Sequence, residues 1–313
     1  MEHRDLVIVG AGPAGLAASI YARRSLMNAI TLEQESLGGQ LILSSTIDNY
    51  PGCPRIEGYD LAEAMRKQAE DLGAEIRMDT VQALDRDPQT GHFTVTATTA
   101  SYDAAAVILA AGARPRPADF EGEERFTGHG VSYCAACDGM FYRDKHVFVV
   151  GGGNSAVEEA LFLARLANKV TLIVRKDHLR AQRALVQELE ASKQVNIMFN
   201  TQLMALDGSS LPSSLTFMDT ASKYTWTETY DEGSFGIFVL VGRDPQSELA
   251  RGLAELNENG YIITDERMTT RTPGFFVAGD VREKPLRQIV TAASDGAIAA
   301  TSAAAYLGHS VES

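Results

Sequence analysis

The chain has 313 residues, of which 45% are hydrophobic and 22% charged, so it is long enough for two globular domains. Its formal net charge of −13 argues against nucleic acid or an anionic membrane as a partner, because both attract basic surfaces. With no run near the ~20 apolar residues of a membrane span and too few cysteines for a disulfide scaffold, we expect a cytoplasmic protein.

Residues 6–34 are predicted to form a βαβ unit, in which β-branched residues give way to glycines and then to an Ala/Leu-rich amphipathic helix. Glycines at this spacing let the backbone approach a pyrophosphate, and the helix start supplies N–H donors. The predicted contacts in this turn are Gly10, Gly12, Pro13, Ala14 and Gly15. Glu33 ends the second strand, where an acid accepts hydrogen bonds from ribose hydroxyls and repels a 2′-phosphate.

Two turn-rich loops follow, with the sequences LGGQL and IDNYPG. They contain Gly39, Gln40 and Asn49, and the polar members of this group could reach the edge of a bound ring. Each loop alone is more typical of an ordinary turn. They are predicted to contact a cofactor only in combination with the other segments described below.

The segment SYCAACDGMF (132–141) places Cys134 and Cys137 three positions apart, with Asp138 directly behind them. A metal clamp, a structural staple and a redox pair all share this spacing, so the segment by itself does not decide between them. Zinc needs four ligands, and neither Cys53 nor the histidines stand at ligand spacing, so we predict no metal site. In a reducing compartment a persistent C-x-x-C disulfide is more often catalytic than structural.

The βαβ pattern occurs a second time, beginning at VFVVGGGNSAVEEA. The aligned pairs are Gly10 with Gly151, Gly12 with Gly153, and Gly15 with Ala156. A single glycine motif is weak evidence, but here both copies have a strand before the turn and a helix after it. The predicted contacts of the second turn are Gly151, Gly153, Asn154, Ser155 and Ala156. Two dinucleotide sites on one chain suggest a tightly bound flavin that exchanges electrons with a transient nicotinamide.

The two copies differ at the end of the second strand. Val174 takes the place of Glu33 and is followed by Arg175, Lys176 and, slightly later, Arg180. Loss of the acid and gain of three cations favour a 2′-phosphate, and therefore NADPH over NADH. The alternative is an ordinary solvated basic surface.

Near the C-terminus, TPGFFVAGDVREKPLRQ predicts a short strand, 275–278, that ends at Gly279 and Asp280. An aspartate at a strand end can bind the ribityl and phosphate portion of a flavin nucleotide. Arg287 and Gln288 follow at the start of an Ala-rich helix. These residues and the two early loops bracket the first βαβ unit from both ends of the chain.

The predicted fold is therefore α/β, with two Rossmann-like dinucleotide-binding domains, the second inserted into the first. Residues 1–114 and 243–313 are expected to form a discontinuous FAD-binding domain. Residues 115–242 are expected to form an NAD(P)H-binding domain that carries the C-x-x-C pair. The crossings fall near AGARPRPADF and VGRDPQ, which are rich in proline and charge as linkers are.

Over nearly its whole length the chain resembles the low-molecular-weight, bacterial-type thioredoxin reductases. The matching motifs are GAGPAG, GGQ, NYPG, CAACDG, GGGNSAVEEA, RKDHLR and VAGDV with RQ, all in the family's order. The resemblance implies an FAD-containing, NADPH-dependent homodimer that reduces thioredoxin or a thioredoxin-like protein.

The resemblance also implies individual roles for the residues of the C-x-x-C segment. Cys137 would face the flavin and form the charge-transfer thiolate, and Cys134 would attack the protein disulfide. Asp138 would be the acid/base. The resemblance thus identifies the pair as redox-active, and a domain swivel between two orientations is expected.

The chain departs from the family pattern at a few positions. Val174 and Lys176 replace a histidine and an arginine, and lysine lacks the bidentate fork of arginine, so some NADH use is expected. His129 and Met140 replace an arginine and an aromatic residue where a protein substrate would dock. These changes suggest a particular thioredoxin-like partner, or neutral drift.

Several other functions share parts of this pattern. A flavin-dependent dithiol oxidase would use the same flavin and cysteines with oxygen as acceptor, and the sequence separates it poorly. A ferredoxin-fed reductase would lack the second glycine turn and its cations, and a ferredoxin–NADP reductase would lack the cysteine pair. A non-catalytic nucleotide-sensing module would need neither the pair nor Asp138.

Overall fold

The computed structural model describes residues 1–44 and 46–309. The chain divides into two compact units, the first made of residues 1–114 and 244–313 and the second of residues 115–243. Arg243, which was predicted to begin the return to the first unit, belongs to the second. The last four residues of the range 243–313 lie outside the described residues.

The first segment of unit one forms a parallel sheet with antiparallel strands added at one side. Its elements are β1 (Glu2–Val9), α1 (Pro13–Arg24), β2 (Ala29–Glu33), α2 (Gly58–Asp71), β3 (Glu75–Met78), β4 (Val81–Arg86), β5 (Phe93–Ala97) and β6 (Ser101–Leu109). The strands are arranged in the order β3-β2-β1-β6-β5-β4. Helix α1 begins with Pro13 at its first position and has Arg23 and Arg24 in its last turn, both of which suit the helix dipole.

The chain enters unit two through β7 (Ala113–Pro115). The elements that follow are α3 (Glu123–Phe126), β8 (Val131–Ser132), α4 (Ala135–Asp138), β9 (His146–Val150), α5 (Asn154–Leu163), β10 (Lys169–Ile173), α6 (Arg183–Ala191), β11 (Val195–Met198), β12 (Thr201–Gly208), β13 (Pro212–Asp219), β14 (Thr225–Thr229) and β15 (Phe235–Val239). A five-stranded parallel sheet has the order β11-β10-β9-β15-β8, and β12, β13 and β14 form an antiparallel sheet.

The chain leaves unit two through β16 (Arg243–Pro245), which pairs with β7. Unit one is then completed by β17 (Phe275–Val277) and α7 (Ile289–Tyr306). Strand β17 pairs in parallel with the second half of β6, while β5 pairs antiparallel with the first half. One edge of β6 is therefore shared by a neighbouring strand and by a strand from far along the chain.

Alternation along the strands creates the cores. In β1, Leu6 and Ile8 pack on the side of the alanine-rich helices α1 and α7, whereas Val7 and Val9 pack on the side of Phe93 and Phe275. Unit two repeats this arrangement: Val147 and Val149 face α5, and Phe148 and Val150 face the antiparallel sheet. Two βαβ units, each on a parallel sheet, confirm the predicted fold class. Across the described residues no helix is long and apolar enough to cross a membrane.

Candidate active site and dinucleotide sites

The first glycine turn joins β1 to α1 and leaves backbone open for a ligand. Gly10 has φ +103°, and a Cβ there would lie 2.5 Å from the Ala110 carbonyl oxygen. A Cβ on Gly15 would collide with the Gly10 carbonyl, so β1 and α1 approach closely only because both positions are glycine. A Cβ on Gly12 would have Gly38 O, at 3.9 Å, as its nearest neighbour beyond the adjoining residues. This opening at the helix start fits a pyrophosphate, which the free N–H groups of the first turn could bind.

Glu33 lies beside this turn with a fixed carboxylate. The side chain is buried, with 7% of its surface exposed. One oxygen accepts the Ala11 N–H at 2.7 Å, and the other accepts the N–H groups of Gln34 and Glu35, each at 2.9 Å. Since two carboxylate oxygens offer about four acceptor sites, capacity remains for a ribose hydroxyl.

The two predicted loops lie next to other predicted residues. Gly39 starts a 3₁₀ turn, and a Cβ on it would lie 3.3 Å from Gly12 Cα. The Gln40 side chain donates to the Ala113 carbonyl. Asn49 Nδ2 donates to Gln288 Oε1 at 2.9 Å. The structure therefore brings together residues that the sequence could assign only to opposite ends of the chain.

Gly279 and Asp280 form a 3₁₀ turn directly after β17, against the first turn of α1. A Cβ on Gly279 would lie 2.9 Å from Ala14 Cβ. Asp280 is half-buried. The guanidinium carbon of Arg287 lies 4.1 Å from the centre of the Tyr261 ring, and its Nε is buried without a hydrogen-bond partner among the described residues. A buried donor of this kind is suited to an acceptor on a ligand.

Sequence reasoning missed the side chain that fastens this turn, Asp295 on α7. Its carboxylate accepts Gly279 N–H at 3.1 Å, Arg282 Nη1 at 3.2 Å and Lys284 Nζ at 2.7 Å. Asp295 and Lys284 are both buried at the side chain. The available signal was a single acidic residue in an otherwise Ala-rich helix. A carboxylate on such a helix is buried only when it has partners, so its presence points to a paired site.

The second glycine turn, between β9 and α5, has the same construction. Gly151 has φ +152°, and a Cβ there would lie 2.5 Å from the Leu240 carbonyl oxygen, whereas nothing lies within 4 Å of a Cβ on Gly153. Asn154 and Ser155 begin α5 and are exposed, and Ala156 is buried. The Asn154 side chain accepts the Gln182 N–H at 2.8 Å.

The three predicted cations follow β10 and are exposed. Val174 is buried, with 4% of its surface exposed, while Arg175, Lys176 and Arg180 all face solvent. The Arg180 N–H donates to Gly152 O at 2.7 Å, so this loop is attached to the glycine turn. Exposed cations attached to the turn are suited to a phosphate monoester, and the assignment to a 2′-phosphate stays a prediction.

Cys134 and Cys137 form a disulfide at the start of α4, with their Cα atoms 5.3 Å apart. The Cys134 N–H donates to Ser132 Oγ at 3.1 Å, and Ser132 Oγ donates to Asp138 Oδ2 at 2.6 Å. Burial raises the pKa of the Asp138 carboxyl, and the hydrogen bond from Ser132 opposes part of that rise. The other carboxyl oxygen, Oδ1, is buried and has no hydrogen-bond partner among the described residues. Asp138 is therefore suited to hold or release a proton beside the pair.

Two further groups at the pair were not predicted, Glu159 and Arg243. The Ala135 N–H, between the two cysteines, donates to Glu159 Oε2 at 2.8 Å. Burial raises the pKa of the Glu159 carboxyl, while the Ala135 N–H and Arg243 favour its charged form. Arg243 Nη2 in turn donates to the Tyr133 carbonyl at 3.2 Å. Helical spacing from the buried Ala156 and Leu163 could have placed Glu159 at the edge of the buried face of α5.

The other residues singled out from the sequence lie at the surface or in loops. His129 is exposed, and Met140 has 52% of its surface exposed. Cys53 is a half-buried free thiol. Within the part of the chain that the structure describes, no group of three or more His, Cys, Asp or Glu side chains could hold a metal ion.

Comparison with known proteins covers nearly the whole chain. The family model for pyridine nucleotide-disulphide oxidoreductases matches residues 4–296. The thioredoxin reductase of Peptoclostridium acidaminophilum is 44% identical over 312 residues, which cover 98% of each chain. That of Treponema pallidum is 42% identical over 304 residues, 97% of each chain. Among solved structures, the thioredoxin reductase of Streptococcus pyogenes has a TM-score of 0.92 at 39% identity and covers 98% of each chain.

These similarities confirm the resemblance inferred from the motifs. Proteins of this family use flavin and nicotinamide cofactors, and the glycine turns of both units fit such groups. The chain therefore belongs to the pyridine nucleotide-disulphide oxidoreductase family and, within it, to the low-molecular-weight thioredoxin reductases.

Proposed function

We propose that this protein passes two electrons from NADPH through FAD to the Cys134–Cys137 disulfide, and from there to the disulfide of thioredoxin or a thioredoxin-like protein. The observation that carries the proposal is the disulfide-bonded pair with the half-buried Asp138 directly behind it, in the same unit as the second glycine turn. The sequence similarity to thioredoxin reductases supports the choice of acceptor.

Unit one is the proposed FAD-binding unit. When bound, FAD would supply the two-electron relay between a nicotinamide and a disulfide. The proposed contacts are Gly10, Gly12, Pro13, Ala14, Gly15, Glu33, Gly39, Gln40, Asn49, Gly279, Asp280, Arg287 and Gln288. The turn at Gly12 would hold the pyrophosphate, Glu33 would accept from a ribose hydroxyl, and Arg287 would donate its Nε–H, which has no partner among the described residues.

Unit two is the proposed nicotinamide-nucleotide unit. The proposed contacts are Gly151, Gly153, Asn154, Ser155, Ala156, Arg175, Lys176 and Arg180. The exposed cations would neutralise a 2′-phosphate, which selects NADPH. Lys176 contributes a point charge and not a planar fork, so NADH is expected to retain some activity.

Transfer to the protein substrate requires two exchange steps. The Cys134 thiolate attacks one sulfur of the substrate disulfide, forming a mixed disulfide and releasing the other sulfur as a thiolate. Cys137 then attacks Cys134 Sγ, which re-forms the intramolecular disulfide and releases the second substrate sulfur. Two electrons and two protons pass to the substrate. Asp138, next to Cys137 in sequence, would hold and deliver protons in these steps, oriented by Ser132.

The proposal includes a homodimer that acts in the cytoplasm, which the family resemblance supports. His129 and Met140 are proposed to contact the thioredoxin-like substrate, because both are exposed residues of the unit that carries the pair. Light scattering of the purified protein would measure the mass of the assembly, and a mass of one chain would contradict the dimer.

The deciding experiment is an anaerobic titration of the purified protein with NADPH and, separately, NADH, followed through the flavin spectrum. Uptake of two reducing pairs per flavin is expected, because the flavin and the disulfide each accept one. Uptake of a single reducing pair per flavin would show that the cysteines do not accept electrons from the flavin. Oxygen consumption on addition of a small dithiol, with no thioredoxin present, would instead support a dithiol oxidase.

A further inference from the structure

The backbone around Cys134 is held at three successive residues. Arg243 donates to the Tyr133 carbonyl at 3.2 Å, Ser132 Oγ accepts the Cys134 N–H at 3.1 Å, and Glu159 accepts the Ala135 N–H at 2.8 Å. Of these groups only Glu159 places a negative charge on the segment between the two cysteines. Nothing in the exchange chemistry described above uses Glu159 directly.

Glu159 is held in place by its own surroundings. It lies on α5, which begins at the second glycine turn, and it is half-buried next to α4. Burial raises the pKa of its carboxyl and the neighbouring Glu158 adds to the rise, whereas the Ala135 N–H and Arg243 favour the ionised form. A second carboxyl group, that of Asp138, belongs to the last residue of α4. A carboxylate that receives both a backbone N–H and a nearby guanidinium keeps its charge more readily than burial alone would allow.

A negative charge next to a thiol acts against the thiolate. The disulfide is neutral, whereas the reduced pair contains a thiol that ionises, so a nearby carboxylate destabilises only the reduced, ionised form. Disulfide proteins whose thiolate is strongly stabilised become oxidants. The opposite electrostatic bias makes the dithiol a better reductant, as a donor to a protein disulfide requires.

We propose that Glu159 is a positioning residue that holds the backbone of Ala135 and, through its charge, opposes the thiolate of Cys134, so that the dithiol remains strongly reducing. The inference rests on the proposed redox role of the pair. It concerns a property of the pair itself, independent of which protein accepts the electrons.

The test compares Glu159→Gln with Glu158→Gln in the holoenzyme. Glutamine keeps an acceptor oxygen for the Ala135 N–H but removes the charge. Glu158 is the adjacent, exposed residue of the same helix, so its replacement removes the same charge from a side chain that faces solvent. The reduced proteins are treated with iodoacetamide between about pH 5 and 9, and alkylation of Cys134 is measured by peptide mass spectrometry.

In Glu159→Gln the pKa of the Cys134 thiol is expected to fall by about one unit, the low end of the effect of a neighbouring charge. The equilibrium of the pair with glutathione should shift about tenfold toward the dithiol, which corresponds to about 30 mV for a two-electron couple. Glu158→Gln should leave both values at those of the unsubstituted protein. Neither measurement needs NADPH or thioredoxin, so failure of the proposed acceptor would not affect this result.

An unchanged thiol pKa in Glu159→Gln would overturn the proposal, and so would an equal fall in both variants, because that would be a general effect of net charge. Glu159→Asp provides a second test if the glutamine variant does not fold. It keeps the charge and should keep the thiol pKa. A fall of a full unit in Glu159→Asp would show that the charge is not what matters.

Discussion

Ser132 is expected to set the protonation of Asp138, and its replacement gives the sharpest test of the acid/base assignment. Ser132 is buried and donates to Asp138 Oδ2 at 2.6 Å. In Ser132→Ala this hydrogen bond to the charged form is lost. Burial, which already raises the pKa of Asp138, then acts with less opposition.

The size of the effect follows from the strength of the bond. Hydrogen bonds to charged groups contribute about 1.5–3 kcal/mol, and one pKa unit corresponds to about 1.4 kcal/mol. The pKa of Asp138 should therefore rise by about one to two units. Because an acid that holds its proton to higher pH extends activity upward, the alkaline limb of the pH–rate profile should move up by the same amount. The variant should also lose about 1 kcal/mol of stability, since the Cys134 N–H loses its acceptor.

The assay is thioredoxin reduction by the purified variant over a range of pH, compared with Ser234→Ala. Ser234 is in the same unit and donates to the Asp231 carbonyl at 2.7 Å, far in sequence from the cysteine pair. This control should leave the limb unchanged. A Ser132→Ala profile that is lowered without being shifted would refute the reasoning, because Ser132 would then act only on structure.

Three further outcomes are expected. Cys137→Ser should abolish disulfide reduction but leave reduction of the flavin by NADPH intact, and loss of both would contradict the proposed order of electron flow. Arg175→Ala with Lys176→Ala should raise the KM for NADPH by about tenfold, on the order of 1.4 kcal/mol of lost phosphate binding, and spare that for NADH; equal effects on both coenzymes would remove the 2′-phosphate assignment. Burial, with Lys169 nearby, lowers the pKa of His146 to about 4. Between about pH 6.5 and pH 4 the unfolded state therefore binds a proton that the folded state does not. The free energy of unfolding should decrease as the pH is lowered through this window. The decrease should be less than about 1.4 kcal/mol per pH unit, because the ring is partly solvated. Urea unfolding of His146→Gln should show a smaller loss between about pH 7 and 5, and an equal loss would point to other groups.

The glycine turns and their surroundings were predictable because the relevant contacts are local. Gly10 and Gly15 stand a few residues apart, and their close approach is required by the strand–turn–helix connection itself. Glu33 likewise follows from the length of one βαβ unit, and its hydrogen bond to the Ala11 N–H places it where that spacing predicts.

The supports of the redox pair were not predictable, because their partners are distant in sequence. Ala135 and Glu159 are 24 residues apart, and Tyr133 and Arg243 are 110 apart. Such pairings depend on how α5 and the start of β16 are placed relative to the cysteine pair, which periodicity alone does not specify. Asp295 was missed because its three donors lie in the irregular segment between β17 and α7, whose path no periodicity specifies.

The shared edge of β6 has a consequence for how the chain folds as it is synthesised. The second half of that edge is covered by β17, which is made only after all of residues 115–243. Unit two is continuous in sequence and can close its core early, whereas unit one exposes apolar strand surface until its last strand and helix arrive. A growing chain should therefore acquire protease resistance in unit two first, and truncation before Phe275 should leave unit one prone to aggregation.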